Sequence, residues 1–235
     1  MSLHAGIKLK YLLEGVSPWV QKDDLVVLSA VLSNFESRGD QTSLMLLNAY
    51  SYLSDSMIGN DYLLWLKVKV NYIQKKINRI LVQSFFQLFF ETIDLNQVER
   101  VYEHRNFNEW GDIVLPAIPN RKIEIQGTLK SGDLLPYNRK LLSAFTRDLQ
   151  GKGTRLVIAC PPLYEPAISD LGLVHKLFGQ LGEIPGLEVI SQPEDYVLDE
   201  SLFFDTSNHL NSKGKVIRTQ QLIADLERYL SAISR

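Results

Sequence analysis

Cysteine is almost absent. Cys160 is the single one in 235 residues, so no disulfide can close within the chain and the fold must rest on its apolar core. One thiol fits a reducing compartment without excluding an oxidising one. Charge of one sign is lacking too: 25 Lys and Arg against 27 Asp and Glu leave a formal net charge of −2. No basic stripe with interleaved aromatics is present, which argues against a nucleic-acid partner. Long hydrophobic runs are also missing. The longest uncharged apolar stretch near the middle, residues 80–90 (ILVQSFFQLFF), is interrupted by Gln83 and Gln87 and is too short to cross a bilayer.

The opening MSLHAGIKLKYLLEG has no basic n-region, apolar h-region or cleavage site, so it does not read as a secretory signal. Read as it stands, the chain is expected in the cytoplasm; an upstream signal or anchor would move that expectation to the cell envelope. Histidine is scarce. His4, His104, His175 and His209 show no metal-ligand spacing, so neither a metal nor another cofactor is expected. His175 falls inside a helical pattern and reads as a surface residue.

What is there is ordinary globular composition, 45% apolar and 22% charged, in a length that suits one large domain. Residues 4–15 read as a short helix, and Asp24-Leu25-Val26-Val27-Leu28 as a buried parallel strand covered on both faces. Residues 41–100 are different: long, helix-compatible, strongly apolar, and punctuated by Lys67, Lys69, Lys75, Lys76 and Arg79. They fit amphipathic helices packed on the core. Residues 61–90 also fit a cap or a membrane-surface segment, since basic residues meet Trp65, Phe85, Phe86, Phe89 and Phe90.

Residues 101–137 are polar, rich in turn formers, and read as a long irregular connection. The last hundred residues are clearest. Asn138 is placed to cap a helix carrying Leu141, Leu142, Phe145 and Leu149, stopped by Gly151 and Gly153. A strand follows at 155–160, ended by Pro161-Pro162, then a helix through Leu171, Val174, Leu177, Phe178 and Leu181. Residues 186–190 form another strand. Residues 212–233 form a final helix with Val216, Ile217, Leu222, Ile223, Leu226 and Leu230 on its apolar face. Helices and strands alternating at this spacing predict a parallel sheet with right-handed crossovers.

Open α/β sheets put their sites at the carboxyl ends of strands, here the loops after Leu28, Cys160 and Ile190. The third loop carries Asp205 and His209 one short step apart. Imidazole is suited to general-base work near neutral pH, and a neighbouring carboxylate fixes its tautomer. A turn-forming Asp205 and a surface or capping His209 would fit the same residues. Gly151-Lys152-Gly153-Thr154 lacks the P-loop spacing and precedes a strand, so it reads as a tight turn. Cys160, at a strand end without a basic sequence neighbour, reads as a buried structural thiol.

The stretch FFDTSNHLNSKGKVIRTQQLIADL resembles the last block of the SGNH (GDSL-type) hydrolase superfamily, and more closely a bacterial envelope-associated branch of it. In that branch the block reads as aromatic, Asp, short spacer, His-Leu-Asn, Gly and helix. The general pattern is Asp-x-x-His; here Thr206-Ser207-Asn208 intervene, so the match is to the branch. Leu3-His4-Ala5-Gly6, Tyr11-Leu12-Leu13-Glu14 and the strand at 24–28 resemble the branch's second block and the strand after it. Ser2 would then stand where the family has an oxyanion-hole glycine. Asn34 falls near the asparagine of the family's Gly-x-Asn-Asp, with that glycine and aspartate absent. Asn108, in FNEWGD, is a further polar candidate.

The resemblance implies a flavodoxin-like three-layer α/β domain over residues 1–235, lacking its first strand and carrying a helical insertion at about 41–100. It implies ester chemistry, either hydrolysis or O-acyl transfer, on an envelope carbohydrate or lipid, with His209 as general base and Asp205 orienting it. The family's nucleophile turn, Gly-Asp-Ser or Gly-x-Ser, should follow a first strand that would precede Met1. The one Gly-x-Ser in the sequence, Gly15-Val16-Ser17, precedes the strand at 24–28 and reads as a helix exit. The expectation is therefore an incomplete esterase or acyltransferase-like domain, or a non-catalytic relative serving in binding or assembly. A missing strand would also leave a sheet edge open to pairing, which implies a homodimer.

Overall fold

The computed structural model describes residues 8–38, 122–168 and 170–234, with seven helical positions at 66, 70, 73, 74, 77, 78 and 81. The chain divides into two compact units, Met1–Ile7 with Asp40–Pro116, and Lys8–Gly39 with Ala117–Arg235. The second unit is mixed α/β. Its elements are α1 (Leu9–Val16), β1 (Leu25–Leu28), α2 (Ser33–Glu36), α3 (Pro136–Gly151), β2 (Arg155–Ile158), β3 (Leu163–Tyr164), α4 (Leu171–Gly182), β4 (Leu187–Val189), β5 (Val197–Leu198) and α5 (Ser212–Ile233).

The described strands β1, β2 and β4 form a parallel sheet in the order β1-β2-β4, with Val26 opposite Leu156 and Val157 opposite Glu188. A second parallel pair joins β3 to β5. In the central strand β2 the side chains alternate between two apolar clusters, as period-two geometry requires. Leu156 and Ile158 pack with Leu9, Leu142, Leu149, Leu177 and Leu181 from α1, α3 and α4. Val157 and Ala159 pack with Tyr229, Leu222 and Leu226 from α5. Helices therefore cover both faces, and burying each such aliphatic side chain contributes roughly 1.5–3 kcal/mol.

Several sequence expectations hold. Gly15-Val16-Ser17 is the exit of α1 into a single 3-10 turn, Ser17–Trp19. The Gly151-Lys152-Gly153-Thr154 stretch is the turn from α3 into β2, with Gly153 at φ +75° and Thr154 N–H donating to the Leu149 carbonyl. Cys160 is fully buried, and burial pushes its thiol well above the ordinary range. His175 is half exposed and lies 2.6 Å from Glu194 across the surface.

Three expectations are corrected. Strand β1 is only partly buried, at the edge of the described sheet, although both its faces are covered: Val26 and Leu28 pack on one apolar cluster, Leu25 and Val27 on the other. Asn138 does not cap α3. The cap position is Leu135, followed by Pro136, which needs no N–H partner. Asn138 sits one turn inside, buried, where its Nδ2 donates to the carbonyls of Asn34, Phe35 and Ser37 at 2.9–3.0 Å and ties α3 to the end of α2.

The third correction concerns α5. Val216, Ile217, Ile223 and Leu230 point to solvent, while Gly214, Arg218, Asp225 and Tyr229 are buried. A polar network selects that face. Asp225 accepts from Ser191 Oγ and Tyr196 Oη, both at 2.6 Å, and pairs with Arg228. Arg218 reaches the carboxyl ends of β1 and β2, donating to Ser29 Oγ at 3.0 Å and the Cys160 carbonyl at 2.8 Å, and stacks 4.6 Å over the Tyr196 ring. Burial, followed by the hydrogen bond to Asp225, pushes the Tyr196 hydroxyl up to about 12. These partners satisfy the Asp225 carboxylate and Arg218 Nη2, while Arg218 Nε and Nη1 are buried without a hydrogen-bond partner among the described residues.

Candidate functional site

The site is built on the loop between β5 and α5. Phe203 and Leu210 form an antiparallel bridge that closes the loop at its base. Inside it, Phe204 N–H donates to the His209 carbonyl at 2.8 Å and His209 N–H to the Thr206 carbonyl at 3.2 Å. This fold-back brings two side chains four positions apart into contact: His209 Nδ1 lies 2.8 Å from Asp205 Oδ1. An ionised carboxylate can only accept, so opposite an ionised Asp205 it is Nδ1 that donates in this contact. The two side chains are 35% and 29% exposed, half-buried and within reach of solvent.

The loop is held from both sides. At its exit Asn211 caps α5, its Oδ1 accepting from Lys213 and Gly214 N–H at 3.1 and 3.0 Å. The same residue's Nδ2 reaches back to the Ser201 and Phe203 carbonyls. One residue thus fixes both the helix start and the loop base. Gly214 lets α5 begin against the Leu202 backbone: a Cβ there would collide with the Leu202 carbonyl and meet Leu210 Cδ2 at 3.0 Å.

On the other side lies residues 122–129, part of the stretch read from sequence as irregular connection. Glu124 N–H donates to the Asp205 carbonyl at 2.8 Å, and Ser207 N–H to the Glu124 carbonyl at 2.9 Å. Ser207 Oγ accepts from Gln126 N–H and donates to the Gln126 carbonyl, at 2.8 and 2.9 Å, and Asn208 Nδ2 adds a bond to the same carbonyl at 3.1 Å. Asp205 and His209 are thus carried on a loop with a two-sided brace.

Gly127 joins this brace to the loop after β1. It has φ +68°, and a Cβ there would lie 2.7 Å from Val31 Cγ1, 3.2 Å from Ser33 Oγ and 3.3 Å from Asn208 Nδ2. Only glycine suits that backbone and that spacing. Beside it opens a cavity of about 70 Å³, bounded by Leu32 after β1, by Pro161 and Pro162 after β2, and by Gln126, Ser207 and Asn208 from the brace. The cavity thus lies at the carboxyl ends of β1 and β2, where open parallel sheets place ligands. Its remaining walls are mainly apolar, among them Leu129, Ile168 and Val174.

Of the residues expected from sequence, the structure brings Asp205 and His209 together. Asn34 is buried in α2, with its carbonyl bound to Asn138, and does not line the cavity. It belongs to the packing between α2 and α3, because Asn138 draws that turn inward. Ser2 and Asn108 lie outside the described residues. Sequence reasoning missed Ser207, Asn208 and Gln126, which brace the loop. Among the described residues no group of three or more His, Cys, Asp or Glu is placed to hold a metal ion. Comparison with family models, with curated proteins and with solved structures finds no match for this chain.

Proposed function

We propose that the α/β unit is the acid–base part of an ester-processing site of SGNH type, on a flavodoxin-like sheet, acting on a carbohydrate or lipid ester of the cell envelope. The observation that carries this reading is the 2.8 Å contact between His209 Nδ1 and Asp205 Oδ1. It accompanies the resemblance of the surrounding sequence to the family's last block.

In this reading Asp205 holds the imidazole with Nε2 as the base. Nε2 takes the proton of an attacking hydroxyl as its oxygen bonds to the acyl carbon. It then gives that proton to the departing alkoxide, leaving the base restored. With water attacking, the outcome is hydrolysis; with a sugar hydroxyl attacking an acyl donor, it is acyl transfer. Of this loop, Ser207 and Asn208 line the cavity and Asp205 and His209 do not; in this reading the cavity's apolar walls hold the acyl portion beside the loop that carries the dyad.

The chain's single Gly-x-Ser is the exit of α1. That observation favours two outcomes over a serine enzyme complete in these residues: a site that works through water, or a binding relative that has kept the dyad. Fluorophosphonate labelling of the purified chain, read by peptide mass spectrometry, separates them from a complete serine enzyme. No labelled serine is expected. A single labelled serine whose modification is lost in His209→Ala would contradict the incomplete-site reading and identify the nucleophile.

A further inference from the structure

Residues 61–90, read from sequence as a cap or membrane-surface segment, are described at only seven positions. Helix α5 is described from Ser212 to Ile233, and its outward face carries an apolar row. Val216, Ile223 and Leu230 are 57%, 49% and 46% exposed and stand seven residues apart. At about 100° per residue they drift by only about 20° per step, so they form one stripe roughly 21 Å long. Thr219 and Leu226, each three residues on, run along one side of it, and Gln220 and Glu227, each four residues on, along the other. Scattered exposed apolar residues are common, but a seven-residue apolar repeat is the pattern of a surface that packs along another helix.

Charge and symmetry identify that helix. The first turn of α5 holds no acidic residue and its last turn no basic one. Lys213 and Lys215 instead stand exposed at its start, beside the positive end of the helix dipole. A second copy of α5 laid antiparallel would correct both ends at once, because the lysines of each helix would lie beside the last carbonyls of the other. A two-fold axis makes residues equally far from it meet. With the axis at Ile223, that residue meets its own copy, Val216 meets Leu230 of the other copy, and Gln220 comes beside Glu227, whose carboxylate accepts from the amide. A parallel pair would set Lys213 and Lys215 against themselves. A lipid surface fits less well, since Glu227 stands at the edge of the stripe between Ile223 and Leu230, where an anionic headgroup layer repels it. We infer that α5 is the interface of a two-fold homodimer, with an antiparallel copy seated on Val216, Ile223 and Leu230. The inference is independent of the ester reading, and it puts the contact on a helix face rather than on the sheet edge.

One helix seam is smaller than a standard interface of about 1,600 Å², so the dimer is expected to be weak, with a Kd on the order of 10–100 μM. Sedimentation velocity of the full chain from roughly 1 to 300 μM should show the mass rising from monomer toward dimer. Ile223→Asp places a charge at an exposed position where it meets its own copy. It should weaken association at least about tenfold with an unchanged circular dichroism spectrum. Cysteine cross-linking reads the orientation, because Cys160 is buried and does not compete. On oxidation with copper phenanthroline, Ile223→Cys should link to itself. Val216→Cys alone should not, its two copies lying about 21 Å apart, whereas Val216→Cys mixed with Leu230→Cys should link. Three results would overturn the inference. One is a monomer at every concentration, which would leave the stripe to another protein's helix or to a lipid surface. The second is a dimer that Ile223→Asp does not weaken. The third is Val216→Cys linking to itself as readily as Ile223→Cys, the mark of a parallel pair.

Discussion

Glu36 shows how much of this molecule's order depends on single polar side chains meeting backbone. Its carboxylate accepts from the N–H groups of Lys130, Ser131 and Gly132 at 2.6–2.8 Å and fastens the segment leading into α3. Partial burial acts to raise its pKa, but the three backbone donors, with the Ser131 hydroxyl, outweigh it and hold the carboxyl below its ordinary value of 4.5. A carboxylate with a depressed native pKa stabilises the fold above its unfolded-state value, and that contribution disappears as pH falls through the native one. Glu36→Gln should therefore melt below the wild type at about pH 7, and the gap should close below about pH 4.5. Thermal melts across that range check it; a gap independent of pH would show that the carboxylate charge is irrelevant to the clamp. Residues of this kind were not legible in the sequence. Glu36 and Ser131 are 95 positions apart, as Ser207 and Gln126 are 81 apart, and no local pattern announces a bond across such a separation. Asp205 and His209 were legible, because both partners sit in one short loop.

At the scale of elements, periodicity located the longer helices and the strands β1, β2 and β4, missed α2, β3 and β5, and put on the buried face of α5 four residues that are exposed. Apolar spacing favoured Val216, Ile223 and Leu230. The close approach of Gly214 to the Leu202 backbone and the Asp225 network turn those three outward, while Leu222 and Leu226 of the same expected face still pack against Val157 and Ala159. Local composition does not encode a helix's rotation when polar groups can be satisfied inside. The entry to α5 is also where element and site meet, since Asn211 and Gly214 hold the helix start against the loop that carries His209. Asn211→Ala should cost about 1–2 kcal/mol through loss of the cap. Gly214→Ala should cost about 1–3 kcal/mol, because the helix must move off the Leu202 carbonyl. Chemical denaturation measures both. Histidine resonances in the two variants should show the Asp205–His209 contact loosened; an unchanged imidazole signal together with wild-type stability would mean that the helix start does not support the loop.

Across the α/β unit, a parallel sheet with helices on both faces directs the loops after β1, after β2 and before α5 to one end, and the brace at residues 122–129 locks the dyad there. The alternation of helix and strand made the α/β class legible. The brace was not, because its residues have the composition of a loop and gain their order only by pairing with a loop about eighty positions away. The central claim is that this end of the sheet performs acid–base chemistry on an ester. Hydrolysis of p-nitrophenyl acetate by the wild type, His209→Ala and Asp205→Asn, followed against pH, tests it most directly. Enzyme-dependent hydrolysis should fall by roughly 10²-fold or more in His209→Ala. Asp205→Asn, which replaces the acceptor-only carboxylate by an amide that can also donate and so admit the other tautomer, should also lose most of the rate while melting like the wild type. A wild-type rate no higher than that of His209→Ala would contradict the claim and leave the dyad as part of a binding surface.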